Sequence, residues 1–129
     1  MPEGPASTPE GPARDVVLVV DDSRVARATV TARLAEIGLG SRDAAGCVDG
    51  SSVDLTTVGA ALLDLELGDG TGVELARTLR TATSALPIAF LTSAPTSRLA
   101  TEARELGPVF EKGPGLGLAI RWAAQQLGK

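Results

Sequence analysis

Five residues offer chemistry in this sequence: Asp21, Asp22, Asp64, Thr92 and Lys112. Each stands at or just past the end of an apolar run, VVLVV before the two aspartates, ALL before Asp64, IAFL before Thr92 and VF shortly before Lys112. Adjacent carboxylates repel, and burying even one is costly. Three acids brought together without a cation would drive one of them to hold a proton. A hard divalent cation resolves the conflict, because Mg²⁺ takes oxygen ligands, needs few carboxylates and keeps several waters. Three acids and Mg²⁺ leave one negative charge, which Lys112 offsets. A carboxylate held against such a cation can attack phosphorus. The cation and the lysine then stabilise the equatorial oxygens of the transferring group, and Thr92 offers a hydroxyl to one of them. Each residue also has a plainer reading. An aspartate is a common helix cap, Asp64 precedes a glycine-rich turn, and Lys112 could be an exposed strand end.

These residues meet only if the chain builds a scaffold that gathers strand ends. Val16–Val20 is a continuous β-branched and leucine run, as in a strand covered on both faces. A helix is expected over 23–37, with Val30, Leu34 and Ile37 on its inner stripe, Asp22 or Ser23 as cap and Gly38 as stop. A weaker strand falls within 43–48 and a short polar helix within 51–57. Strands over 60–63, 88–91 and 109–110 alternate with helices over 73–80, 96–106 and 116–127. Strand and helix alternate five times, which implies an α/β fold: a single doubly wound parallel sheet of five strands with right-handed crossovers. In such sheets sites form beyond the carboxyl ends of the strands, so all five residues converge on one crevice.

Composition narrows the class. The chain has 129 residues, enough for one domain with a real core, and its 2% aromatic content makes that core aliphatic. Net charge is −4 with no basic run, which argues against nucleic-acid binding. There is no long apolar stretch for a membrane span and no secretory signal. The lone Cys47 forms no intrachain disulfide and fits a reducing cytoplasm, with its side chain read as a small core group. The absence of histidine excludes His-based triads and zinc sites. Residues 1–14, rich in proline, read as a disordered tail ahead of a folded unit over 15–129.

The stretches VVLVVDDSRVAR, ALLDLELGDGTGVELARTLR, IAFLTSA and VFEK, in this order, resemble the receiver domains of bacterial two-component response regulators. That resemblance implies a flavodoxin-like sheet of order 2-1-3-4-5. It implies Asp64 as phospho-acceptor and a Mg²⁺ site of Asp21, Asp22, Asp64 and the Glu66 backbone carbonyl. It places Thr92 on a phosphate oxygen, Lys112 against phosphate and Asp64, and gives Glu66 and Ala94 control of phosphoryl lifetime. The phosphoryl donor would be a histidine kinase, and signalling would pass by protein contact or phosphorelay. Because the sequence stops after its fifth helix, a stand-alone receiver without an output domain is the expectation. The alternative is an interaction module of the same fold for which phosphorylation is unimportant.

Several positions depart from the family pattern. Gly68 stands where proline is usual, Gly113 separates Lys112 from Pro114, and Val109 fills the place of an aromatic switch residue while Phe110 comes one step later. The coupling of threonine and aromatic side chains is therefore missing or shifted. GDGTG resembles a dinucleotide fingerprint, but Val73 fills its third glycine slot. DLELG resembles two-aspartate phosphatases, but its second acid is Glu66. Leu118 and Trp122, four apart on the last helix and off its inner stripe, read either as a surface for a kinase, target or second copy, or as edge packing.

Overall fold

A computed structural model describes residues 13–129. The part of the expected tail over 1–12 lies outside the described residues. Strands β1 (Val16–Val20), β2 (Gly40–Ala44), β3 (Val58–Asp64), β4 (Ile88–Thr92) and β5 (Val109–Glu111) alternate with helices α1 (Arg24–Glu36), α2 (Cys47–Ser51), α3 (Gly72–Ala82), α4 (Arg98–Ala103) and α5 (Leu116–Gln126). All pairings are parallel, in the order β2-β1-β3-β4-β5.

β1, β3 and β4 are apolar along nearly their whole length because both faces are covered. Leu18, Val20, Ala61, Leu63, Ile88 and Phe90 point into one cluster with α3 and α4 residues. Val17, Val19, Leu62, Ala89 and Leu91 point into the other, with Val30 and Leu34 of α1 and Ala119, Ile120 and Ala123 of α5. Local signals set the helix starts. Ser23 accepts from the Ala26 N–H at 3.2 Å, Ser97 accepts from the Ala100 N–H at 3.0 Å, and Thr71 with Glu74 closes a reciprocal cap on α3.

Three expectations need correction. The second strand is Gly40–Ala44, ahead of the 43–48 window, and the second helix is Cys47–Ser51 rather than 51–57. β2 is an edge strand with four of its five residues exposed, so it lacks the apolar run that marks the others. Ile37 is not on the buried stripe of α1. It caps the helix at its C-terminal end and is half exposed, while Leu39 turns inward instead.

Candidate functional site

Strand register brings the acids together before any side chain is considered. Val20 lies opposite Leu63, so Asp21 follows β1 beside Asp64, the last residue of β3. Asp64 lies opposite Leu91, and Thr92 opposite Glu111, which puts Lys112 one step beyond. The Lys112 N–H donates to the Thr92 carbonyl at 2.8 Å and locks that corner.

Among the described residues, Asp21, Asp64 and Thr92 are the polar or charged ones that are buried. The Lys112 ammonium bridges the two carboxylates, at 2.8 Å from Asp21 Oδ2 and 3.3 Å from Asp64 Oδ2. The other Asp21 oxygen accepts from the Ser23 N–H at 2.9 Å, and Asp64 Oδ1 accepts from the Glu66 N–H at 3.3 Å. Thr92 Oγ1 accepts from the Ala94 N–H at 3.0 Å. Asp22 is exposed at the rim, and oxygens of Asp21, Asp22 and Asp64 lie within 4.8 Å of one another. The five residues expected from sequence thus converge on one crevice.

Burial first, and then the charge of Asp21, push the Asp64 carboxyl up to about 6, against the pull of Lys112 and the Glu66 N–H. Burial lowers the Lys112 ammonium, but its bond to Asp21 and the two carboxylates outweigh that and hold it above the usual lysine value. The donor set fits a hard divalent cation: three clustered carboxylates, one of them pushed up to about 6 by burial and by its neighbour's charge, are what such a cation would relieve.

The Asp64 shift fixes a pH dependence. Its folded value lies above the unfolded one, so between about pH 4 and 6 the folded state binds more protons, and its stability falls as pH rises. In chelator, Asp64→Asn therefore gains on the wild type across this window, by about 2–3 kcal/mol at pH 8. Urea unfolding at pH 4 and 8 checks this, and a constant difference would show that Asp64 does not titrate as described.

Two supporting residues were not singled out from sequence. Arg27 donates to the Asp21 carbonyl at 2.7 Å and pairs with Asp43 of β2 at 3.1 Å, bracing the β1 end. Asp69, in the glycine-rich turn after β3, reaches the start of α2. A helix that opens on Gly46 without a side-chain cap was the available signal for Asp69. Gly68 has φ +77°, which a proline ring cannot adopt, so the glycine at this position is a conformational requirement of the turn.

The two uncertain positions resolve differently. Val109 pairs with Phe90 and packs in the cluster that holds Ala100 and Ala103 of α4, whereas Phe110 lies on the opposite face with Leu116 and Trp122. A one-step shift along a strand reverses the face, so Phe110 does not replace the missing aromatic group. Leu118 is 55% exposed, while Trp122 is half-buried against the α1–α5 cluster. Cys47 is half-buried against the α3 side, and its thiol faces the Thr71 carbonyl at 3.4 Å.

The family description "Response regulator receiver domain" matches residues 17–109. Among solved structures, a CheY-like receiver domain protein from Methanospirillum hungatei JF-1 is similar at 16% identity and TM-score 0.76, covering 90% of this chain and 95% of that one. A response regulator receiver protein from Pseudomonas putida shares 26% identity with TM-score 0.75, over 88% and 98% of the two chains. The beryllofluoride-activated NtrC4 receiver domain, solved as a dimer, shares 22% identity with TM-score 0.75, over 88% and 98%. No curated protein matched the sequence.

Proposed function

The chain belongs to the response regulator receiver domain family of two-component signalling, and from that premise we propose that it accepts a phosphoryl group on Asp64 from the phosphohistidine of a histidine kinase. The observation that carries this reading is the Lys112 ammonium held between the buried Asp21 and Asp64 carboxylates, with Thr92 buried nearby and Asp22 at the rim. Asp21, Asp22, Asp64 and the Glu66 backbone carbonyl would hold Mg²⁺. When bound, the ion supplies charge neutralisation for the acids and for the oxygens of the incoming group. An Asp64 oxygen forms the new P–O bond as the donor's P–N bond breaks, and the departing imidazole regains a proton from solvent. Lys112 stabilises charge on the transferring group, and Thr92 takes one of its oxygens. Hydrolysis of the acyl phosphate returns the domain to its starting state, so the chemistry acts on the protein itself and not on an external metabolite.

A cleft of about 170 Å³ beside Asp21 and Lys112 is lined mainly by apolar groups, including Val30, Leu91 and Leu116. A larger cavity of about 350 Å³ lies by Val58 and Leu86, at the other end of the sheet from the acids. Signalling would pass by phosphorylation-dependent protein contact or relay, in the cytoplasm, from a single receiver over residues 15–129. Leu118 with Trp122 is the proposed contact surface for a kinase, a target or a second copy, the last in line with the receiver dimer among the similar structures. Among the described residues no helix is long and apolar enough to cross a membrane.

A second reading rests on Val109. With no aromatic ring on the α4 side of β5, the domain would serve as an interaction module whose contacts do not depend on phosphorylation. One experiment separates the two. Acetyl phosphate is added to the full chain with Mg²⁺, with chelator, and to Asp64→Asn, and intact mass is read. The expected adduct requires both Mg²⁺ and Asp64. An adduct on Asp64→Asn, or one indifferent to chelator, would remove the proposed acceptor. A wild type inert to both acetyl phosphate and kinase would leave the interaction module.

A further inference from the structure

Asp69 stands at the tip of the loop that joins β3 to α3, and its carboxylate is turned to the start of α2. The loop folds on itself: the Leu67 N–H donates to the Gly70 carbonyl at 3.1 Å, the Asp69 N–H to the Leu67 carbonyl at 2.7 Å, and Glu66 bridges Thr71. Its glycines, Gly68 and Gly70, make such a turn costly to hold in one shape, because glycine loses more backbone freedom than any other residue. The Asp69 side chain crosses to a different element. Its Oδ1 accepts from the Cys47 N–H at 2.8 Å and its Oδ2 from the Val48 N–H at 3.1 Å. These are the first two amides of α2, which has no side-chain cap of its own. Gly46 permits the approach, since a Cβ there would sit 2.6 Å from Asp69 Oδ1. The same hydrogen bonds hold the Asp69 carboxyl below its usual range, so both oxygens remain acceptors at neutral pH.

The other side of this loop faces the crevice. A Cβ on Gly68 would lie 3.5 Å from Asp22 Oδ2, and the Glu66 N–H contacts Asp64. We infer that Asp69 is a positioning residue: by clamping the tip of the β3–α3 loop to the start of α2, it holds the Glu66 backbone and the Gly68 turn in register with Asp22 and Asp64 for divalent-cation binding. This rests on the proposed Mg²⁺ site and deepens it. The clamp touches neither the cation nor the phosphoryl group. It removes the ordering cost that the glycine-rich loop would otherwise meet on binding.

The test titrates MgCl₂ into the full chain by calorimetry and follows phosphoryl uptake from acetyl phosphate at low and saturating Mg²⁺. Asp69→Ala should weaken Mg²⁺ binding about tenfold, the scale seen when outer partners of metal ligands are lost. Its uptake rate should fall at low Mg²⁺ and recover to within about twofold at saturation. Asp69→Asn keeps an acceptor without the charge and should retain most of the affinity. Cys47→Pro breaks the clamp from the α2 side, where proline suits the first helical position and Gly46 is already extended. It removes one of the two bonds and should give a part of the Asp69→Ala loss, with Cys47→Ala near the wild type. Unchanged Mg²⁺ affinity in Asp69→Ala, equal losses in the Asn and Ala variants, or a rate deficit that saturating Mg²⁺ fails to recover would each overturn the clamp. A wild type that binds no Mg²⁺ overturns the metal site itself, and the clamp with it.

Discussion

In chelator at pH 8, Lys112→Met lowers the unfolding free energy by about 2–4 kcal/mol, because it leaves two buried carboxylates facing each other without their shared cation. The deficit has a pH signature. Lys112 is one of the groups that restrain the Asp64 carboxyl, so its loss lets that carboxyl rise further above 6. At pH 5 Asp64 then holds a proton and the repulsion with Asp21 relaxes, so the deficit shrinks. At pH 8 both acids are pressed toward ionisation, and the deficit is largest. Mg²⁺ should restore part of the stability by taking over the neutralisation. Phosphoryl uptake, in contrast, should stay at least about a hundredfold below the wild type, as for loss of one donor to a developing anion. Denaturant unfolding at the two pH values, with and without Mg²⁺, checks this. Equal deficits at pH 5 and 8 would mean that the loss does not come from the charge balance of Asp21 and Asp64.

Gly72→Ala carries the other large effect, with opposite sign to helix propensity. Alanine ordinarily favours a helix over glycine by about 1 kcal/mol. Here a Cβ would run into the Asp64 carbonyl oxygen and come within 3.2 Å of the Leu65 Cα. The Gly72 N–H already donates to the Leu65 carbonyl at 2.9 Å, so α3 begins flush against the backbone that follows Asp64. β3 is the middle strand of the sheet and cannot withdraw. The helix must move instead, at a cost of about 2–3 kcal/mol. The shift of α3 carries with it the loop that follows Asp64, which Glu66 and Thr71 tie to the helix start, so phosphoryl uptake on the proposed acceptor should also slow, by about a hundredfold. Gly117→Ala is the control. Its Cβ would meet only the Arg33 guanidinium at 3.8 Å, so it should be neutral or slightly stabilising. Thermal unfolding and uptake rates of the two variants, side by side, separate a local collision from a general intolerance of substitution.

The parts of the fold legible in the sequence were those whose signal is local. VVLVV and IAFLT are strands because burial on both faces demands unbroken apolar runs, and the polar residues that end them locate the crevice. Ser23 and Thr71 announce their helices by chemistry that acts within three residues. What escaped was set at a distance. GSRDA is a strand because β1 offers it an edge to pair with, not because of its own composition. The start of α2 is hidden because its capping group, Asp69, lies about twenty residues downstream. The face taken by Phe110 depends on its register against β4, which no local pattern encodes. The convergence of Asp21, Asp22, Asp64, Thr92 and Lys112 could be foreseen because the ends of parallel strands share one edge. The pairing of Arg27 with Asp43 and the bracing by Asp69 could not, since these bonds join segments that are neighbours only in the folded sheet.

The order in which the crevice acquires its charges has a bearing on how the chain reaches its fold. Lys112 follows β5, a three-residue strand on the sheet's edge, whereas the carboxylates it neutralises belong to β1 and β3, inner strands encoded far earlier. During synthesis, a chain that has emerged only through β4 can assemble the acids without their counter-charge. The repulsion it carries opposes closure of the β1–β3 pair at the end where Asp21 and Asp64 meet. Docking of the last βα unit removes that opposition, covers the open edge of β4 and completes the α1–α5 cluster in one event. The proposed acceptance of a phosphoryl group would thereby wait on the pairing of β5 and the docking of α5 over residues 109–129.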